Sequence, residues 1–233
     1  MSEPEIPDHI RQHLALALDV DDLVAASRLA RELKPWFGVA KVGLELFSAA
    51  GPEAFGVLQD MGYAVFADLK LHDIPTTVGR ASRVLGALGV RYVTMHAHGD
   101  VAMLSAGVEG LNEGATNAGL LPPVAVAVTV LTSDRDAPPH IIPKRVRAAM
   151  EAGCGGIVCA GTDLDDVRSL APRMHKVVPG IRPAGASSDD QARVATPRQA
   201  IDAGADLLVV GRAVTASDDR LAAAAAIAAE LSD

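Results

Sequence analysis

Aromatic residues are scarce in this chain, with one Trp, two Tyr and four Phe making up 3% of 233 residues. Without them there is no stacking platform for bases, and the formal net charge of −8 leaves no basic stripe for a phosphate backbone, so nucleic acid is not an expected partner. A small anionic ligand stays open, because a few lysines and arginines gathered in one place override the global balance. Cysteine is also rare. Cys154 and Cys159 stand alone, with no second pair and no histidine nearby, which is a poor zinc pattern and reads as two ordinary thiols of a reducing compartment. The segment Met1 to Gln12 carries acids and prolines where a signal peptide would have a basic start and an apolar stretch. The longest apolar run, Val124 to Leu131, is too short to span a bilayer, so a soluble, cytoplasmic protein with no membrane partner is expected. No G-x-S-x-G elbow, P-loop or G-x-G-x-x-G is present, which removes support for hydrolase, nucleoside triphosphatase and dinucleotide readings.

Small aliphatic residues are what the chain does have. Hydrophobic residues reach 49%, mostly Ala, Val, Leu and Ile, in short runs that alternate with segments of helical spacing. Eight strands are predicted at Leu14–Val20, Val39–Leu44, Tyr63–Lys70, Tyr92–Ala97, Val124–Val130, Gly156–Ala160, Lys176–Pro179 and Leu207–Gly211. Helices are predicted between them near Leu23–Leu33, Glu53–Met61, Thr76–Leu88, Val101–Glu113, Lys144–Ala152, Leu164–Leu170, Arg198–Ala203 and Arg220–Leu231. Gly89, Gly153 and Gly204 follow helix ends as left-handed stops. Eight strand–helix units favour a (β/α)8 TIM barrel, with an open doubly wound sheet as the alternative. One domain over residues 1–233 is the economical organisation. One long connection interrupts the rhythm, from Ile181 to Arg193, and a loop of that length in a compact domain is usually functional or disordered.

The polar residues that break the apolar runs fall at the C-terminal ends of the predicted strands. Asp19 follows the first, Lys41 lies in the second, Asp68 and Lys70 end the third, and His96 ends the fourth. Thr132 and Ser133 follow the fifth, Arg182 the seventh, and Gly211-Arg212 the eighth. In a (β/α)8 barrel these ends form the mouth where active sites are built. Asp68 and Lys70 share a strand face, with Asp73 just beyond in the turn. An isolated D-x-K is equally a structural ion pair at a strand end, and the convergence of the other ends is what favours chemistry. Gly211 and Arg212 offer backbone N–H groups and a guanidinium to a phosphate, with the Arg182–Arg193 loop as a lid; the alternative is that Arg212 caps a helix or pairs with an acid. His96 and His98 would put two imidazoles on one strand face, a pattern that could hold a metal but is more often structural, and His72 reads as packing.

The run Asp68-Leu69-Lys70-Leu71-His72-Asp73-Ile74-Pro75 resembles the D-x-K-x-x-D-I-P signature of the orotidine 5′-phosphate decarboxylases. Leu18-Asp19, Lys41-Val42-Gly43, Leu131-Thr132-Ser133, Pro179-Gly180-Ile181-Arg182-Pro183, Asp189-Asp190-Gln191-Ala192-Arg193 and Val209-Val210-Gly211-Arg212 agree in order, so the similarity runs from about Leu14 to Thr215. D-x-K-x-x-D also occurs in related sugar-phosphate decarboxylases; the Pro179–Pro183 and Asp189–Gln191 blocks are more specific. Thr76 departs from the asparagine common after the proline, Thr77 matches, and His98 stands where a smaller residue is expected.

The resemblance implies decarboxylation of orotidine 5′-monophosphate to uridine 5′-monophosphate in de novo pyrimidine biosynthesis, without cofactor or metal. Lys70 is then the proton donor to C6. Asp68 and Asp73 keep it charged, and Lys41 completes an alternating array. The resemblance further implies a homodimer in which Asp73 reaches the neighbouring site. Asp19 and Lys41 would contact the ribose, Asp68 would face the substrate carboxylate, and Thr77 and Thr132 would touch the nucleotide. Arg182, Gln191, Gly211 and Arg212 would hold the phosphate or close the lid. Two other readings are a metal-dependent sugar-phosphate decarboxylase or epimerase on the same barrel, and a catalytically silent nucleotide-binding barrel.

Overall fold

Parallel strands made of small and β-branched residues need both faces covered, and here the sheet achieves this by closing on itself. The structure, a computed structural model, describes residues 6–134, 137–183 and 195–232. Its elements in chain order are α1 (Asp8–Gln12), β1 (Leu14–Ala17), α2 (Leu23–Leu33), β2 (Val39–Val42), α3 (Leu44–Ala50), α4 (Glu53–Asp60), β3 (Ala64–Leu71), α5 (Pro75–Gly86), β4 (Tyr92–His96), α6 (Asp100–Asn117), β5 (Val124–Val128), α7 (Ile141–Glu151), β6 (Gly156–Val158), α8 (Leu164–Leu170), β7 (His175–Val178), α9 (Pro197–Asp202), β8 (Leu207–Val210), α10 (Arg212–Thr215) and α11 (Arg220–Ala229). All eight strands pair in parallel in sequence order, and β8 returns to β1 through Leu14↔Leu208, Ala15↔Val209 and Leu16↔Val210. The chain is therefore a closed (β/α)8 barrel and not the open doubly wound sheet.

Strand alternation sorts the core into two layers. Ala15, Ala17, Val39, Phe66, Tyr92, Val126, Val177, Leu207 and Val209 fill the barrel interior. Their neighbours of opposite parity, among them Leu16, Ala40, Val65, Val93 and Leu208, pack outward against the helices. Alanines on β1 leave room for Phe66 and Tyr92, whose rings meet edge to face at 5.8 Å in the interior. Lys41 has the parity of Val39 and so points inward, towards the mouth, from a strand buried throughout. A second buried lysine sits in β7. Lys176 is held by Asp206 at 3.2 Å and by the Met174 carbonyl at 2.7 Å, and its own N–H donates to Asp206 at 2.8 Å.

Local signals place the helices. Asp22 and Asp219 cap α2 and α11 by accepting from Ala25 and Ala222, Thr196 and Gln199 form a capping box on α9, and Pro75 opens α5. Helices α5 and α6 pack backbone against backbone. A Cβ at Gly110 or Gly114 would land inside contact distance of the Gly79 and Arg83 carbonyls, and one at Gly86 would meet that of Leu111. The predicted α2 and α8 match their observed bounds, while α6 extends past both predicted ends. The strands stop one to three residues earlier than predicted at the mouth, except β3, which runs one residue further. Helices α1, α3 and α10 are additions, each shorter than eight residues, too short for a periodic pattern to show. Among the described residues, no helix is long and apolar enough to cross a membrane.

Candidate active site

The strand ends meet at a cavity of about 260 Å³ in the barrel mouth. Its walls include Asp19, Lys41, Asp68, Lys70, Thr132, Arg182, Gly211 and Arg212, drawn from six widely separated stretches of sequence. Phe66, Val128, Val158, Val177 and Val209 form its apolar floor.

Four of these residues form one line of alternating charge. Lys41 Nζ lies 3.0 Å from Asp19 Oδ1 and 3.5 Å from Asp68 Oδ2, and Lys70 Nζ lies 2.9 Å from Asp68 Oδ1. The side chains of Lys41 and Asp68 are only 9% and 13% exposed, so these charges are held largely out of water. Burial by itself would push the Asp68 carboxyl up. The fields of Lys41 and Lys70, with hydrogen bonds from Lys70 and Thr94, outweigh that and hold it below its usual range. Gly43 lies close beside the array, where a Cβ would stand 3.0 Å from Asp19 Oδ1 and 3.1 Å from Lys41 Nζ and would press on both side chains.

The strand that delivers Asp68 and Lys70 is not regular. Pairing of β3 with β4 runs through Phe66↔Tyr92 and Ala67↔Val93 and resumes at Leu71↔Met95. Asp68, Leu69 and Lys70 therefore stand opposite Thr94 alone, a bulge that bends the strand end. Lys70 takes φ 51°, a left-handed conformation that costs a side-chain-bearing residue about 1–2 kcal/mol. Thr94 is wholly buried and bonded to both sides of the bulge. Its sequence context alone does not mark it. A threonine in a strand passes for β-branched filler, although it is the one polar residue in Tyr92–Met95 and shares the inward parity of Tyr92.

Not every expected residue reaches the cavity. Asp73 is exposed in the turn after β3, where its carboxylate accepts from the Ile74 N–H at 2.6 Å; among the described residues no ion pair joins it to Lys70 or Lys41. Thr77 lies exposed in the first turn of α5, away from this chain's own cavity. Gln191 lies outside the described residues, as do 184–194 of the long connection, while Arg182 is buried at the cavity wall with a hydrogen bond to the Ile181 carbonyl. Arg212 opens the short helix α10 directly after Gly211. The two imidazoles expected on one strand face are separated by the end of β4. His96 is its last residue and His98 sits in a 3-10 turn, Ala97–Gly99. His72 packs against both rings, at 5.7 Å and 5.5 Å between centroids. Among the described residues, no group of three or more His, Cys, Asp or Glu is placed to hold a metal ion. Cys154 and Cys159 are free and buried, and burial pushes both thiols up to about 12, which keeps them protonated and unreactive.

Residues 12–227 match the Orotidine 5'-phosphate decarboxylase / HUMPS family. The chain belongs to that family. It is 43% identical over 235 residues to the orotidine 5'-phosphate decarboxylase of Moorella thermoacetica, covering 96% of this chain and 93% of that one. It is 45% identical over 231 residues to that of Anaeromyxobacter sp. (strain K), covering 94% and 98%. The crystal structure of orotidine 5'-phosphate decarboxylase from Lactobacillus acidophilus superposes with a TM-score of 0.80 at 31% identity, covering 95% of this chain and all of that one. Membership in the orotidine 5'-phosphate decarboxylase / HUMPS family thus covers the barrel from before β1 into α11, and every wall of the charged cavity lies within it.

Proposed function

We propose that the chain decarboxylates orotidine 5′-monophosphate to uridine 5′-monophosphate, a step of pyrimidine biosynthesis, at the Lys41–Asp68–Lys70 array. The observation that carries this is the Lys70 ammonium, placed by Asp68 at 2.9 Å on the edge of a cavity with arginines on its far wall. Loss of carbon dioxide leaves an electron pair at C6 of the pyrimidine with no adjacent carbonyl to receive it. A preorganised cation at that atom stabilises the charge as it develops, and the Lys70 Nζ proton then completes the C6–H bond. Asp68 faces the departing carboxylate and fixes the ammonium. The nucleotide phosphate is assigned to Arg182 and Gly211-Arg212, with Gln191 from the loop beyond, and the ribose to Asp19 and Lys41. Thr132 is placed against the base. Binding energy from a phosphate remote from C6 serves to orient the reacting end.

Asp73 and Thr77 are assigned to the neighbouring subunit's cavity in a homodimer. Their exposure outside this chain's own cavity supports the assignment, as do the apolar side chains of Leu44, Ile74 and Leu131, which are 58%, 66% and 42% exposed after β2, β3 and β5. The metal-dependent reading is weakened because the carboxylates that could ligate an ion, Asp19 and Asp68, are already engaged by ammonium groups. The test is loss of orotidylate absorbance on adding purified protein, with and without a chelator. Activity should survive the chelator, and Lys70→Ala should abolish turnover while retaining nucleotide binding. Wild-type turnover by Lys70→Ala refutes the assignment of Lys70, and loss of activity with the chelator refutes the metal-free mechanism.

A further inference from the structure

We propose that Thr94 is a positioning residue for the reaction, holding the β3 bulge so that Lys70 and the Asp68 carboxylate keep their places; this rests on the function proposed above. The hydrogen bonds at its hydroxyl can be assigned individually. The Lys70 backbone N–H donates to Thr94 Oγ1 at 2.9 Å, which occupies a lone pair, so the hydroxyl's single proton is directed to Asp68 Oδ1 at 3.0 Å. One side chain thus binds the backbone of the proton donor and the carboxylate that holds its ammonium. In a regular ladder the Lys70 N–H would meet a β4 carbonyl. Across the bulge Lys70 has no paired residue of its own, since three residues share Thr94, and the Thr94 hydroxyl takes the carbonyl's role.

The same contact sets how Asp68 is rotated. Oδ1 receives both the Thr94 hydroxyl and Lys70 Nζ, which leaves Oδ2 turned towards Lys41. Without the hydroxyl the carboxylate can rotate and share its oxygens differently between the two ammonium groups. Because Thr94 has no solvent exposure, water does not replace the missing group. Thr94 does not line the cavity, so it acts through Asp68 and Lys70 and not on the substrate.

Thr94→Val keeps the branched shape and removes the hydroxyl; Thr94→Ser keeps the hydroxyl and removes the methyl group. With orotidine 5′-monophosphate as substrate, the valine variant should lose roughly 10- to 100-fold in kcat with KM changed less than about threefold. The serine variant should stay within about threefold of wild type in both. A crystal structure of the valine variant should show Lys70 out of the positive-φ region and its ammonium no longer within hydrogen-bond reach of Asp68 Oδ1. If the valine variant does not fold, Thr94→Ala carries the same measurements. Wild-type kcat in the hydroxyl-free variant, or a serine variant as slow as the valine one, overturns the proposal. If wild type itself fails to turn over orotidylate, the assigned function falls and the crystal structure alone decides Thr94. An unchanged Lys70 φ and an unchanged Asp68–Lys70 contact then overturn it, and a displaced pair upholds it.

Discussion

Asp68→Asn removes one charge from the centre of the array while preserving its shape. The asparagine carbonyl can still accept from Thr94 and Lys70, so the substitution isolates the electrostatic part of the arrangement. In the native chain the carboxylate lies 2.9 Å from one ammonium and 3.5 Å from another. At an effective dielectric of about 20 each contact amounts to roughly 5 kcal/mol before desolvation is subtracted. Removing one member of a buried ion pair costs about 3–5 kcal/mol, mostly because the partner is left buried without a counter-charge. The lower end applies here, since Lys70 is 31% exposed and Lys41 retains Asp19. A loss of about 3 kcal/mol corresponds to a melting temperature lower by roughly 6–12 °C in a chain of this size. Calorimetry at pH 7.5 measures it. A pH series adds a second reading. The folded Asp68 carboxyl lies below its ordinary value near 3.9, so its stabilisation is complete above that value and is lost as pH falls through the lower folded one. The gap between wild type and variant should therefore close in acid. An asparagine variant that melts within 2 °C of wild type, or above it, refutes the reasoning, because the array would then give the folded chain no net stability.

Two glycine substitutions should act with opposite signs. Gly114→Ala gains about 1 kcal/mol of helix propensity but drives a Cβ into the Arg83 carbonyl across the α5–α6 contact, so a net loss of about 2 kcal/mol is expected. Gly56→Ala, in α4 with nothing within 4 Å of the new Cβ, should stabilise by about 0.5–1 kcal/mol; urea unfolding midpoints measure both, and equal shifts would contradict the packing described. Burial lowers the pKa of His96 and His175, and neighbouring cations add to it: His72, Lys70, Arg145 and His98 around the first, Lys176, Arg91 and His13 around the second, where Asp206 opposes them. The unfolded chain then binds more protons, so stability is complete above about pH 6.5 and falls as pH drops through the lower folded values. Urea midpoints at pH 7.5 and 5.5 should show this fall, and a His96→Gln, His175→Gln double variant should flatten it; an equal fall in that variant assigns the loss to other groups.

What could be read from the sequence and what could not are divided by whether a residue's role depends on its own strand or on the strand beside it. Strand parity alone puts Asp68 and Lys70 on one face, and the recurrence of strand ends with polar residues is enough to gather the six polar stretches that line the mouth. The length of β3 is also a local matter, visible in an apolar run ended by charge. The bulge is different in kind. Nothing between Ala67 and Leu71 marks it, because it exists only as a mismatch in which three residues face one, and Thr94 belongs to a strand 26 positions further on. Helix α3 and helix α10 were hidden for a simpler reason, since neither has two full turns over which an apolar face could repeat. The α5–α6 approach lies between these cases. Gly110 and Gly114 stand in plain view at helical spacing, yet their meaning comes from carbonyls on another helix. In this barrel the charged groups that line the cavity were legible because chemistry restricts them to a few residue types at strand ends. The groups that hold them in place were not, since a threonine or a glycine becomes informative only once its neighbour across the sheet or helix pair is known.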